Sequence, residues 1–277
     1  MKVVSHNLLH LAKGGPEQQA IEAGEIDAIV DHAASNIILL PAARRALQLR
    51  KAASEASIAN SLLAALPRAE YQRLLAVLEP VALRAGEVLH EPGVAIAYVY
   101  FPLESVVCLM ATADGPEIGL VGYEGAVGIS LALGMEGSSA RALVQAGGSA
   151  LRMKPAHFKK ALLHCPALRR AVHRYADAKL AQARQTIACN RFHSAEARLA
   201  RWLLMSADRV RSEKFFLTQA FLADVLGVRR ATVNEAAGAL SRRRLIGYTR
   251  GMLHISDRAG LEAAACGCYA RIEGALA

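Results

Sequence analysis

The chain contains no apolar run near the roughly 20 residues that span a bilayer, and its opening, Met1-Lys2 followed by Val-Val-Ser-His-Asn, is not a signal-peptide core. Both absences point to a cytoplasmic protein without a membrane partner. It also lacks a G-x-x-x-x-G-K-[ST] phosphate loop and a dinucleotide glycine fingerprint, and its nine histidines fall in no zinc or triad spacing. An enzyme is therefore not expected. Cysteine is sparse: Cys108, Cys165, Cys189, Cys266 and Cys268 are odd in number and scattered, which excludes a disulfide framework and implies reduced thiols. Cys266-Gly267-Cys268 is the one close pair, and Cys189 lies four residues before His193. A structural metal wants four converging ligands. Neither a metal nor a cofactor is expected, and the thiols read as buried and redox-idle.

What is present is positive charge. The chain has 277 residues, with 33 Lys and Arg against 24 Asp and Glu, for a net charge of +9. That excess favours an anionic partner, and the length suits about two domains, each with its own core.

The stretch from Leu217 to Tyr248, LTQAFLADVLGVRRATVNEAAGALSRRRLIGY, describes two short helices meeting at a tight turn. Thr218 caps the first, Leu222 and Val225 give it an inward face, Gly227 makes the turn, and Val233 and Leu240 point inward from the second. Ala223, Gly227 and Val233 stand where a helix-turn-helix needs a small residue at the crossing, a residue free to take positive φ, and an apolar wedge. The second helix then presents Arg230, Ala231, Asn234 and Glu235, preceded by Arg229 and followed by Arg242, Arg243 and Arg244. Arginine pairs with guanine, asparagine with adenine, and glutamate accepts from cytosine, while flanking arginines neutralise phosphates. A short hairpin, Tyr248 to Ile255 turning at Arg250-Gly251, completes a winged helix-turn-helix pattern. The expected DNA-contacting residues are Thr218, Gln219, Arg229, Arg230, Thr232, Asn234, Glu235, Arg242, Arg243 and Arg250. The competing reading is a helical hairpin with a solvated, dipole-compensating basic end.

Taken in order, residues 1–57 read as a helical N-terminal extension with helices over Glu17 to Asp31 and Ala42 to Ala59, a short strand at Asn36 to Leu40 between them, and no assigned chemistry. Residues 58–165 turn after Pro80 into short runs at Val81–Leu83, Glu87–His90, Ala97–Phe101, Val106–Ala111, Glu117–Val121, Ala142–Gln145 and Ala150–Met153, separated by glycines. Strands so short and evenly spaced suggest a jelly-roll barrel. Residues 166–191 form a long helix whose stripe Val172, Ala176, Leu180, Ala183 and Ile187 repeats at four and three, the pattern of a pairing seam. Residues 192–277 carry the winged unit, beginning with an amphipathic helix from Ser194 to Arg209 that packs Leu199, Trp202, Leu203 and Met205 inward and leaves Arg198 and Arg201 on its other side. The fold class is α+β.

That order, with the phrases LRAGEVLHEPGVAIAYVYFP, GLVGYEGAVGISLALG and LTQAFLADVLGVRRATVNEAAGALSRRRLI, resembles the Crp/Fnr family of bacterial transcription regulators over about residues 60 to 277. The resemblance implies a cyclic-nucleotide-binding-like effector domain, a dimerisation helix and a winged helix-turn-helix, with effector binding reorienting the reading helices. Gly86 and Gly93 match its barrel turns. Members that bind cyclic AMP carry a glycine–glutamate pair followed by an arginine and a small hydroxyl residue. Here the candidates for an effector pocket are Gly122, Glu124, Gly125, Ser138, Ser139 and Arg141. Aligned on the following strand, however, the arginine position falls on Ala140, and a one-residue slip turns Arg141 to the opposite face. Cyclic AMP is therefore disfavoured as the effector. The oxygen-sensing branch holds its iron–sulfur cluster near the N-terminus, where this chain has no cysteine before Cys108. In the reading helix the family's first arginine position is Arg230, while its glutamate and second arginine positions are Ala231 and Glu235, so the target sequence differs.

The function implied is a homodimer that reads a palindromic operator in double-stranded DNA with effector-modulated affinity and contacts RNA polymerase if it activates. The alternative is an effector-binding signalling module whose winged domain contacts protein.

Overall fold

The computed structural model describes residues 3–5, 28–31, 36–39, 60–112, 115–249 and 251–276. The chain divides into two units, Met1–Glu55 and Ala56–Ala277. In the first, β1 (Val3–Ser5) pairs in parallel with β2 (Ala28–Asp31), which pairs antiparallel with β3 (Asn36–Leu39). The strand expected at Asn36 is present. The helix expected over Glu17 to Asp31 is not there at its C-terminal end, since Ala-Ile-Val-Asp is a strand. Two β-branched residues in succession favour the pleated backbone over the helical one. The rest of that helix, and the one expected over Ala42 to Ala59, lie outside the described residues.

The second unit opens with a helical turn, α1 (Ser61–Ala64), and α2 (Arg68–Leu75). Asn60 is fully buried: its Oδ1 accepts the Leu63 N–H at 3.2 Å, capping α1, while its amide donates to the Pro102 and Gly125 carbonyls, both at 2.9 Å. One polar side chain thus fixes the helix start against two loops. The strands follow as β4 (Glu79–Leu83), β5 (Val88–His90), β6 (Val99–Pro102), β7 (Val106–Met110), β8 (Glu117–Val121), β9 (Arg141–Ala146) and β10 (Gly148–Met153), each within two residues of its expected position at either end. They form two sheets, ordered β4-β10-β6 and β5-β9-β7-β8, with the crossed connections of a jelly roll. Val99, Phe101, Ala142, Leu151 and Met153 are fully buried in the barrel. The helix α3 (Pro155–His164) closes one side, with Phe158 edge-on to Phe101.

The long helix α4 spans Pro166–Phe192. Its unpaired first amides are met from outside the helix: the Glu70 carboxylate of α2 accepts the N–H groups of Ala167 at 3.1 Å and Leu168 at 3.3 Å. A carboxylate there satisfies two orphan donors and complements the helix dipole. The helix lays Leu168, Val172, Tyr175, Gln182 and Thr186 inward. α5 (Ala195–Val210) follows, capped by Ser194, whose Oγ accepts the Ala197 N–H at 3.3 Å. Its inward residues Leu199, Trp202, Leu203 and Met205 are as expected. Arg198 and Arg201 are not on an exposed face, as expected, but buried, because α5 is covered by the barrel strands on one side and by winged-domain helices on the others. The remainder is β11 (Lys214–Phe216), α6 (Gln219–Leu226), α7 (Arg230–Arg242), β12 (Ile246–Thr249), β13 (Met252–Ile255), α8 (Arg258–Ala264) and α9 (Cys268–Leu276). Among the described residues no helix is long and apolar enough to cross a membrane.

Where α4 crosses the barrel, the Lys179 ammonium donates to the Leu120 carbonyl and to Gln182 Oε1 at the inner end of a half-buried side chain. Burial pushes its pKa from 10.5 down to about 8, against the partial opposition of Glu124 and Glu117. Between those two values the folded chain binds fewer protons than the unfolded chain, so this lysine makes stability rise as pH climbs from 8 towards 10.5, and it is a full liability below 8. Denaturant titrations of wild type and Lys179→Met at pH 7.5 and pH 10 check this. The difference between the two proteins should move in favour of wild type at the higher pH. A difference that does not change with pH would show that another group carries the dependence.

Candidate nucleic-acid interface and effector pocket

The helix-turn-helix is built locally. Thr218 is extended, and its Oγ1 accepts the Phe221 N–H at 3.1 Å, so α6 starts where the sequence implied. Gly227 ends it at φ 60°, ψ 43°, and Val228 N–H returns to the Ala223 carbonyl at 3.0 Å. That left-handed step, costly for a side chain with a Cβ, turns the chain into α7. Val233, Ala236 and Leu240 are buried against the rest of the domain. Arg229, Arg230, Ala231, Asn234 and Glu235 are exposed, Thr232 is half-buried, and Gln219 is half-buried beside the exposed Thr218. The wing is a three-stranded sheet ordered β11-β13-β12, held to the start of α6 by the Tyr248 hydroxyl, which donates to the Leu217 carbonyl at 2.6 Å. Arg250, expected to contact DNA, lies outside the described residues.

The arginines of this domain differ in what they are free to do. Arg242 and Arg244 are exposed at the far end of α7, whereas Arg243 is held by Glu196 at 2.8 Å. Arg258 is gathered by Asp208, Glu213 and Glu262 and serves the fold. Available positive charge is thus concentrated on and around α7, the geometry that suits a groove lined by phosphates.

The six effector-pocket candidates are placed apart. Glu124 Oε1 pairs with Arg209 Nε of α5 at 2.9 Å, and its other oxygen accepts the Gly122 N–H at 3.1 Å. Gly125 lies so close beneath the Tyr175 ring that a Cβ would overlap it. Ser138 turns back on its own loop, accepting the Ala140 N–H at 3.1 Å and donating to the Ala140 carbonyl at 2.7 Å, and Ser139 is exposed. Arg141 is half-buried and paired with Glu91 at 3.4 Å, between the buried Ala140 and Ala142 and on the other face from them. The registers give the reason. Arg141 and Glu117 both pair with Met110, while Val121 pairs with Val107 further along. Gly122 therefore stands five residues, roughly 16 Å, along β8 from the strand end where Arg141 sits. Between the two groups the chain makes a short 3-10 turn, Ile129–Leu133. Glu124 belongs to a buried polar knot that the sequence did not reveal: Arg209, only 2% exposed, also binds Glu273 of α9 at 3.1 Å. Burial disfavours the Arg209 cation, but the two carboxylates outweigh it and hold the guanidinium firmly charged. No local motif announces such a pairing, since its members are 85 and 64 residues apart.

Comparison with known proteins agrees with this geometry. Residues 197–264 match the model of the Crp-like helix-turn-helix domain. No curated protein matches the chain. Among solved structures, a putative transcriptional regulator of the Crp/Fnr family from Eubacterium rectale superposes with a TM-score of 0.57 at 13% identity, covering 72% of this chain and 94% of that one. FixK2 from Bradyrhizobium japonicum gives 0.56 at 18% identity, covering 69% and 98%. The c-di-GMP-responsive global regulator CLP from Xanthomonas campestris gives 0.57 at 13% identity, covering 68% and 99%. Strand-rich barrel, long helix and helix-turn-helix occur here in one chain, which carries a Crp-like helix-turn-helix domain at residues 197–264 and shares the fold of solved Crp/Fnr-family structures.

Proposed function

We propose that the chain is a transcription regulator of the Crp/Fnr type, acting as a homodimer that reads a palindromic DNA site through α7, with an affinity tuned through the barrel. The observation that carries the reading is the split of α7, whose Val233, Ala236 and Leu240 are buried while Arg229, Arg230, Asn234 and Glu235 are exposed. Dimerisation is supported by the outer face of α4. Leu180 is 49% exposed and Ile187 71% exposed, with the half-buried Ala176 before them and the half-buried Ala183 between them at seam spacing. Val172, expected on that seam, is fully buried within its own chain, so the seam begins at Ala176. A twofold pairing along this stripe would carry two copies of α7 to successive major grooves.

Tuning is supported by how closely the barrel and the winged domain pack. A Cβ on Gly227 would stand 3.3 Å from Pro116 of the β7–β8 connection. Elsewhere along the same boundary a cleft of about 260 Å³ lies between Gly86 and Gln145 of the barrel and Phe216, Thr218 and Phe221 of the winged domain. Clefts at domain boundaries favour small ligands, and one lodged there would bear directly on the cap of α6.

Selection of bound fragments from a genomic library at several salt concentrations tests the reading. The expected result is a recurring inverted repeat, with log affinity falling steeply as log salt rises. Retention of all fragments alike would favour the alternative, a winged domain that meets protein. On a selected site, Arg230→Ala should cost about 1–3 kcal/mol and relax one base position, whereas Arg242→Ala should weaken specific and random duplexes equally. Equal losses for both variants on both duplexes, measured by fluorescence anisotropy, would contradict that division. By sedimentation, Ile187→Glu should turn the dimer into a monomer and remove tight binding to the repeat; a variant that stays dimeric would place the seam elsewhere.

A further inference from the structure

Four side chains far apart in sequence meet where α4 ends. Cys189 and His193 lie one turn apart, and Cys266 and Cys268 approach from the segment that opens α9. The three Sγ atoms and one histidine nitrogen all lie within 4.8 Å of one another. Cys189 Sγ is 3.4 Å from Cys266 Sγ, and Cys268 Sγ is 3.4 Å from His193 Nδ1. The thiols are buried and the imidazole is exposed at the rim.

We propose that Cys189, His193, Cys266 and Cys268 form a closed binding site for one zinc ion, which clasps the end of the long helix to the C-terminal helix. A tetrahedral zinc with bonds of about 2.3 Å to sulfur and about 2.0 Å to nitrogen has ligand-to-ligand edges of roughly 3.5–3.8 Å. The four atoms here are grouped on that scale. The sulfur separation is too long for a disulfide, which needs about 2.05 Å. It is too short for a four-iron cluster, whose thiolates sit outside the corners of a cube. Three soft thiolates and one imidazole select zinc over magnesium or calcium, and four protein ligands leave no open position for catalysis.

The surroundings suit that charge. Three thiolates, one zinc and a neutral histidine sum to −1, and two buried arginines lie within electrostatic reach of the group. Arg198, whose Nη2 donates to the Leu226 carbonyl, acts on Cys189 and Cys266, and Arg201, which also acts on the buried Glu117, acts on Cys189. Among the described residues the Nε of each has no hydrogen-bond partner. Their burial, which contradicted the amphipathic reading of α5, is thereby given an electrostatic role. Gln185, one turn before Cys189, donates to Cys268 Sγ at 3.0 Å, the outer hydrogen bond that metal-bound thiolates commonly receive. His193 and Ser194 are the joint between α4 and α5, so the ion would fix the angle at which the winged domain leaves the long helix.

The test uses the full chain purified under reducing conditions with zinc in the growth medium. Elemental analysis should give one zinc per chain. After removal of zinc, cobalt should restore the intense visible bands of tetrahedral thiolate coordination. Alkylation followed by mass spectrometry should find Cys189, Cys266 and Cys268 protected until a chelator is added, a readout that needs no variant. Cys268→Ser should lower zinc affinity at least tenfold. Protein that takes up neither zinc nor cobalt, a Cys189–Cys266 disulfide in freshly isolated material, or several irons per chain would each overturn the proposal.

Discussion

The architecture depends on the all-round burial of α5. A helix with one apolar stripe can lie on a surface, but α5 is enclosed by β7 and β8 of the barrel, by α6 and α7 of the reading unit, and by α8 and α9. Trp202, Leu203 and Leu204 have no solvent exposure, and Trp202 meets Phe221 of α6 edge-on. Burying side chains of this size stabilises by about 1.5–3 kcal/mol each. The surface so removed from water belongs to two modules at once. Arg209 adds direction, because its paired carboxylates come from the barrel loop on one side and from α9 on the other. An unpartnered guanidinium at that depth would be costly, so separating these elements exposes both apolar surface and an uncompensated charge.

This construction relates the two ends of the molecule. The reading helix rests its apolar face on a core that is continuous through Val106, Cys108 and Leu120 of the barrel to Leu222, Val233 and Leu240. Packed cores deform in discrete steps, so a ligand that preferred one arrangement of the barrel would move α7 as a unit. The Cys3His group lies at the joint between α4 and α5, which sets the orientation of that unit relative to the pairing helix. Ligand, metal and DNA would then act on the same hinge.

Much of this was legible in the sequence because its determinants are local. The strands announced themselves by period-two runs between glycines, and Thr218, Gly227 and Val233 marked the helix-turn-helix through a cap, a positive-φ turn and a wedge, each requirement a few residues long. What was illegible depends on distant partners. The amphipathic pattern of α5 was right for Leu199 and Trp202 but misplaced Arg198 and Arg201, since a helix covered on all sides buries its polar face as well. The pairing of Glu124 with Arg209, 85 residues on, has no signature in the residues around either. Cys266 and Cys268 read as one close pair and Cys189 with His193 as a separate spacing because 77 residues separate Cys189 from Cys266, and the packing of α9 on α4 brings them together.

The claim at the centre of this account is that two copies of α7 enter neighbouring major grooves on one face of a duplex. Hydroxyl-radical footprinting of the protein on a bound genomic site reads that geometry directly. The account requires two protected patches on each strand, separated by about one helical turn of 10–10.5 base pairs and related by a dyad. A single patch, or uniform weak protection along the whole fragment, would contradict it.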